Sequence, residues 1–320
     1  MSRTKKIILA SLLMVAGLIV VAVTLFAIKF DFSKMSNVKY EENIYEITED
    51  FISISVDTET ADVIFLSSEN GECKVICNEA ENMKHSVSVK DGALLIEVVN
   101  EKEWHEYISI FDFGKEKITV YLPGSEYKAL TVEASTSDVT VSEGFKFESL
   151  DISISTGDVK NYASATGSVK IKASTGDIRV ENISAGSLEL DVSTGDIRLK
   201  NVKCEDDISA TVSTGDMEFI NVKSKSLTTS GSTGDVLLEG FIATDKLHIE
   251  RSTGEIELDG CDAGEIYIET STGDVRGSVL SDKTFIADSS SGDIDVPKET
   301  VGGRCYVKTS SGDIVLLVER

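Results

Sequence analysis

Ten acidic residues recur at one position of a repeated tetrapeptide: Asp138, Asp158, Asp177, Asp196, Asp216, Asp235, Glu255, Asp274, Asp293 and Asp313. Most close copies of Ser-Thr-Gly-Asp, as in DVSTGDIRLKN from Asp191 to Asn201. Carboxylates at a fixed spacing suit two kinds of chemistry. A pair in unlike surroundings can divide the work of general acid and base, and a row can hold a hard cation such as Ca2+, which takes several carboxylate oxygens. Here one identical position is repeated, so the unlike environments that acid–base catalysis needs are missing. Ca2+ bridging between repeats stays open, with Asp158, Asp177, Asp196, Asp216, Asp235, Asp274, Asp293 and Asp313 as candidate ligands. One carboxylate per repeat is a thin ligand set, and the Gly-Gly-x-Gly-x-Asp pattern of calcium coils is absent. The competing reading is that each Asp accepts a backbone N–H at its turn. Either arrangement must offset about 0.9 kcal/mol of repulsion per neighbouring pair stacked ~4.8 Å apart in water.

Other reactive side chains are sparse. The three histidines, His85, His105 and His248, stand in separate strand-like contexts, none beside a motif serine. With so many serines and aspartates a Ser-His-Asp trio can be drawn almost anywhere, so it carries no weight. Cys73, Cys77, Cys204, Cys261 and Cys305 are odd in number and scattered. Cys73 and Cys77 share one face of an extended strand but lie about 13 Å apart, too far for a mutual disulfide. The five read as small buried residues or free thiols, with no metal-ligand spacing. The chain is therefore read as a non-enzyme with no cofactor other than the candidate Ca2+ and no small-molecule substrate.

What must position these residues is the repeat itself. The motif glycines are Gly157, Gly176, Gly195, Gly215, Gly234, Gly254, Gly273, Gly292 and Gly312, spaced 19 or 20 residues apart, and Ser137 begins the series. A fixed period near 20 signals a stacked repeat. The glycine gives each repeat a backbone angle closed to other residues. The threonines before it (Thr156, Thr175, Thr194 and onward) suit a stacked hydroxyl ladder, and Asn182, Asn201, Asn221, Gly240 and Gly260 mark a second turn column. Within each period two short segments alternate apolar and polar residues, as in SLELDV and DIRLKNV, which is strand periodicity. Apolar positions fall into columns: Leu188, Ile208, Leu227, Leu247, Ile266, Phe285, Cys305 is one, and Ile178, Ile197, Met217, Val236, Ile256, Val275, Ile294, Ile314 is another. An antiparallel meander fits the parity but leaves one apolar face uncovered, because no segment after Ile28 has helical spacing. A solenoid points those residues into a shared core. The expected fold is all-β: a parallel β-solenoid of about ten coils, right-handed because parallel crossovers are, preceded by one transmembrane helix.

The expected organisation is a cytoplasmic tip and anchor (1–30), a tether (31–47), an irregular β region capping the solenoid (48–122) and the repeat solenoid (123–320). Ile7–Ile28 is an apolar run of 22 residues behind a basic tip, long enough to span a bilayer. It lacks a small-x-small cleavage site, which favours an uncleaved anchor. The positive-inside rule keeps the N-terminus cytoplasmic and exports the rest. The net charge is −24, and since residues 1–30 carry four cations and no acid, the exported part carries −28. Nucleic acid is not a partner for such a surface. In the capping region VSVKDGALLIEVV reads as a hairpin around Asp91-Gly92, and TADVIF matches the later TSDVTV, so the solenoid starts early and carries an insertion.

The anchor, the segment ITVYLPGSEYKALTVEASTSDV (Ile118 to Val139) and the serial STGD coils together resemble the bacterial β-strand-repeat family catalogued as putative adhesins, whose biochemical function is unknown. The resemblance covers nearly all the exported chain. It implies the solenoid architecture and, through members encoded beside cell-envelope stress-response systems, a role at the envelope. Ser137 in place of Gly, Glu255 in place of Asp, and a partial copy at Ala165–Ser168 depart from the pattern.

One surface feature breaks the monotony. Lys170, Glu189, Ser209 and Thr228 give way in the same outward column to His248, Tyr267, Ile286 and Tyr306, with Val315 nearby. This stripe is a candidate partner surface, although stacked aromatics also stabilise adjoining coils. The leading expectation is a membrane-anchored extracytoplasmic adhesin-like or envelope-binding module, a rod about 45–50 Å long. Its rivals are an accessory subunit of an envelope-stress sensing system and a Ca2+-stiffened spacer. Ligand and oligomeric state are not specified by the sequence.

Overall fold

The computed structural model describes residues 39–81, 83–100, 116–298 and 301–319. All regular structure among them is strand. The expected anchor Ile7–Ile28 and His105 lie outside the described residues. Alternation dictates the strands: in Ser187–Thr194, Leu188, Leu190 and Val192 are buried while Glu189 between them is exposed. Such half-buried, branched segments favour pleated over helical backbone.

The first nine strands are β1 (Tyr40–Ile47), β2 (Ser53–Thr58), β3 (Asp62–Ser67), β4 (Cys73–Ala80), β5 (Met83–Lys90), β6 (Ala93–Asn100), β7 (Lys117–Leu122), β8 (Glu126–Thr136) and β9 (Val139–Val141). From β8 onward each repeat is one turn of a parallel solenoid. A long strand runs into the Ser-Thr-Gly-Asp corner and a shorter one leaves it, and each stacks in register on its counterpart one repeat away. Nine such turns carry the motif glycines Gly157 to Gly312. Early turns add a two-residue third side, such as Ser184–Ala185 on Lys203–Cys204.

The interior columns fill the core up to the terminal turn, where Phe285 is only half-buried and Ile294, expected inside, is exposed; Phe65, Phe147, Phe219 and Phe241 are the core's largest sealed side chains. Tyr127, Phe145 and Phe147 cluster near the N-terminal end with ring centroids 5.9–6.4 Å apart, and Phe51 stacks on Tyr127 at 5.9 Å. One core column is irregular. Gly231 stands where Val212 stands a turn earlier, and the buried Arg251 folds into the vacated space, donating from Nη1 to the Val212 carbonyl at 3.0 Å.

Two findings differ from the sequence reading. Tyr40–Ile47, expected as the end of the tether, is strand β1, paired antiparallel with β4. Its alternating Tyr45 and Ile47 pack against the core, a pattern short enough to pass for a polar linker. The second concerns the order of turns. The strand Gly303–Ser311 lies between Glu265–Thr272 and Lys283–Ser289, so the last turn in sequence is inserted inside the penultimate one. The interior column therefore ends Ile266, Cys305, Phe285 rather than in chain order. The N-terminal end is built likewise: β2 sits between β6 and β8, and β3 between β7 and β9. The early start and the insertion are as expected, with β2–β3 forming a turn and β4 and β5 leaving it. β5 and β6 make the Asp91-Gly92 hairpin, both turn residues having positive φ (53° and 76°) as a tight hairpin turn requires.

Candidate functional site

The acidic column is a chain of capping interactions running from turn to turn. The Oδ1 of each Asp accepts the backbone N–H of the acidic residue on the adjacent turn: Asp138 from Asp158 at 2.8 Å, Asp158 from Asp177 at 2.9 Å, Asp177 from Asp196 at 2.9 Å, Asp196 from Asp216 at 2.9 Å. It continues through Asp216 to Asp235 and Asp235 to Glu255, both at 2.7 Å, and a second run links Asp274, Asp313 and Asp293 in spatial order. At its N-terminal end Asp62 of β3 joins, accepting from Asp138. The sequence reading placed the accepted N–H within one turn; the structure places it on the next. The carboxylates that accept in this way are each held by a charge-assisted bond. The second oxygens face solvent or an arginine: Arg198 reaches Asp177, Asp196 and Glu218 at 2.8–3.3 Å, and Arg276 reaches Asp274 and Glu255. These contacts offset the repulsion computed for bare stacked charges. Among the described residues, the one group of three potential metal ligands within 4.8 Å of one another lies outside this column.

The motif glycine is fixed twice over. Gly195 has φ +136°, and a Cβ there would sit 2.1 Å from the Gly176 carbonyl oxygen. That closeness lets the Gly195 N–H donate to Thr214 while successive corners stack. The Asn column is a ladder too. Asn182, Asn201 and Asn221 are left-handed (φ 53–59°), as are Gly240 and Gly260, and Asn201 Nδ2 donates to Asn182 Oδ1 at 2.9 Å.

The aromatic stripe is assembled, with its order corrected. His248 pairs with Tyr267, Tyr267 with Tyr306, and Tyr306 with Ile286. Its ring centroids are 4.6 Å apart for His248–Tyr267 and 5.0 Å for Tyr267–Tyr306, the latter nearly parallel at 14°. Tyr267 and Tyr306 thus meet face to face along the rod with His248 tilted against Tyr267, and the 45 % exposed Ile286 extends the outer surface. Polar partners pin the rings. Tyr267 Oη donates to Glu269 at 2.5 Å, Lys308 donates to Glu269 at 2.7 Å, and His248 Nε2 lies 2.7 Å from Glu250. The bond to Glu269 and the neighbouring charge push the Tyr267 phenol up to about 12.

Sequence reasoning missed one constellation. In the N-terminal cap His85 Nδ1 lies 2.7 Å from Glu79 Oε2 and its Nε2 lies 3.0 Å from Thr58 Oγ1, the connectivity of a hydroxyl-imidazole-carboxylate relay. The His85 N–H also donates to Glu79, Asn43 donates to its other oxygen, and Tyr45 Oη donates to the His85 carbonyl. All three relay residues are sealed: Thr58 and His85 are 2 % exposed and Glu79 0 %. A substrate cannot reach that hydroxyl, so the geometry serves the fold. All five cysteines are buried free thiols, with burial pushing each up to between about 11 and 12.

A family model described as Toastrack DUF4097 matches residues 51–211 and again 205–320. The chain belongs to that family. The two matches overlap at residues 205–211, within the regular turns. Among solved structures, the chain is similar to a putative adhesin from Parabacteroides distasonis (13 % identity, TM-score 0.51, covering 87 % of this chain and 98 % of that one). It is similar to another from Parabacteroides merdae (14 %, 0.50, 87 % and 97 %). A putative lipid binding protein from Parabacteroides distasonis is also similar (19 %, 0.51, 75 % and 95 %). At these identities the likeness is one of fold. No curated protein matches the chain. Membership of the Toastrack family therefore fixes the architecture, and the site must be argued from this chain's own residues.

Proposed function

We propose that this Toastrack chain is a membrane-anchored extracytoplasmic binding module, adhesin-like and non-catalytic, whose repeat is a stiff scaffold and whose contacts are made by the outer face towards the C-terminal turns. The observation that carries this reading is the engagement of the Asp column: its Oδ1 atoms hold the adjacent turn's backbone. The repeated motif is thereby occupied with holding turns together, and variation along the outward column is what distinguishes one stretch of rod from another. That column changes from Lys170 and Glu189 to His248, Tyr267, Tyr306 and Ile286, the composition that interface cores favour. The names of the similar proteins, putative adhesin and putative lipid binding protein, are in keeping with an envelope contact. The anchor rests on the apolar length of Ile7–Ile28.

The test is site-specific photocrosslinking in intact cells carrying the full chain, with the crosslinking residue at Ile286 or, as control, at Glu189. Adducts to one envelope component at Ile286 and none at Glu189 support the reading. Adducts only from positions within 7–28 would transfer it to an accessory subunit working through its membrane segment. Equal labelling at both rod positions overturns the local surface. The double variant Tyr267→Ser/Tyr306→Ser should lose the adduct while keeping its unfolding midpoint within a few degrees. A parallel loss of folding would assign the stripe to turn stabilisation alone.

A further inference from the structure

We propose that Cys77, Glu79 and His85 form a structural zinc site in the N-terminal cap. Cys77 and Glu79 are two residues apart on β4 and so share one face of it. His85 comes from β5, which is joined to β4 by the single backbone pair Ala80↔Met83 before the strands part towards different ladders. Sγ, a carboxylate oxygen and a ring nitrogen lie within 4.8 Å of one another, and all three residues are buried. The inference is independent of the binding role proposed above.

Charge and ligand type select the ion. A thiolate and a carboxylate supply two negative charges and the imidazole none, so a dication leaves a neutral site, the condition under which ions are tolerated in a dry interior. Sulfur, nitrogen and oxygen together suit Zn2+; Ca2+ and Mg2+ take oxygen alone. The ligands also have the outer partners that orient metal-binding side chains. Thr58 Oγ1 is 3.0 Å from His85 Nε2, and Asn43 Nδ2 donates to Glu79 Oε1 at 2.8 Å. The chain would thus supply three of the four ligands of a tetrahedral ion.

His85 Nδ1 lies 2.7 Å from Glu79 Oε2 and its Nε2 lies 3.0 Å from Thr58 Oγ1. The ring nitrogen that holds the ion must be free of its proton, which the other nitrogen then carries to its own partner. Cys77 would bind as the thiolate, its thiol proton given up to solvent as the metal enters. One proton is thus released per ion bound, as thiolate ligation requires. The ion would clip β4 to β5 at the point where the backbone ladder between them ends.

The test uses the full chain produced in zinc-depleted medium supplemented with cobalt, so that the ion is present while the chain folds and burial cannot exclude it. The purified protein should contain one cobalt per chain and show a thiolate-to-cobalt charge-transfer band in the near ultraviolet, lost on exchange with zinc. Cys77→Ser should lose that band, and Cys73→Ser, altered on the same strand, should keep it. Zinc saturation should raise the wild-type midpoint by about 5 °C over the chelator-treated protein. Absence of the near-ultraviolet band in the wild type overturns the site whatever the variants do. A band that survives in Cys77→Ser overturns it as well.

Discussion

At its N-terminal end the solenoid continues outward into antiparallel strands, β4 and β1 on one ladder and β5 on the other, whereas at its C-terminal end both ladders stop on parallel strands, Lys283–Ser289 and Ile294–Asp295. Both ends insert one turn out of chain order, so their topologies correspond. Their finishing does not. The N-terminal cap buries Thr58, Glu79 and His85 in a polar network that ties three strands together, with Glu41, Glu42 and Lys84 along its edges. The C-terminal turn leaves Phe285 and Ala287 only partly covered and Ile286 and Ile294 each 45 % exposed. A solenoid turn is satisfied only by its neighbours, so terminal turns need atypical sequence. Here one end meets that need with buried polar bonds and charged edges, as natural sheets protect themselves. The other keeps an apolar rim next to the aromatic stripe.

The comparison can be broken first at the cap. His85→Ala leaves the Glu79 carboxylate buried without its main partner, which should cost about 3–5 kcal/mol. Because the network belongs to the cap, the loss should be local: hydrogen exchange should show β1, β4 and β5 losing protection while the turns around Gly195 retain theirs. Uniform loss along the chain would mean that the cap and rod unfold as one unit. Next comes the repeat. Gly195→Ala combines a left-handed φ with a Cβ placed 2.1 Å from a carbonyl oxygen, and should lower stability by on the order of 3 kcal/mol in urea titration. The control is Gly71→Ala, where φ is +74° but no atom lies within 4 Å, with an expected cost of about 1 kcal/mol. Equal costs would show that backbone angle alone matters and that close stacking of corners does not. At the open end, Ile286→Lys should change stability by less than about 0.5 kcal/mol, since the side chain is already half in water. A larger loss in the unfolding midpoint would show the rim to be covered.

How much of this was legible in sequence follows from what repeats. The 19–20-residue spacing, the alternation in SLELDV and the glycine corner each recur often enough to fix the solenoid, its interior columns and its turn chemistry. The order of turns at the ends could not be read the same way. Ile266, Phe285 and Cys305 offer the same kind of inward side chain, so the columns are equally satisfied whichever turn stacks on which. Only the connections carry the difference, and Gly302 and Gly303 are its trace: a Cβ on Gly303 would meet the Gly264 carbonyl oxygen at 1.9 Å, a contact between turns far apart in sequence. The cap network was hidden for another reason. Glu79 and His85 have the alternation of ordinary strand residues, and their pairing depends on β4 and β5 diverging from one hairpin into two ladders. The signal available was Cys77-x-Glu79 followed by His85, three ligand types within nine residues on a strand pair.

The smallest effect separates ring stacking from polar pinning in the aromatic stripe. Tyr267 is favoured as the neutral phenol because it donates to Glu269, whose carboxylate is itself held below its ordinary range by Lys308 and by that same phenol. Since the folded value is raised, this contribution to stability is complete below the ordinary tyrosine pKa of about 10 and is lost as pH climbs towards 12. Phenolate absorbance should therefore show Tyr267 titrating late in the wild type together with the half-buried Tyr45 and the buried Tyr127, and Glu269→Gln should bring one of these late tyrosines back towards the ordinary range. Tyr306 stacks on Tyr267 in both proteins, so a difference curve isolates the hydrogen bond from the ring contact. Superimposable curves would mean that the ring contacts, and not Glu269, set the stripe's conformation. The aromatic column would then be the open end's counterpart to the cap, holding terminal turns together through ring faces where the N-terminal end uses buried charge.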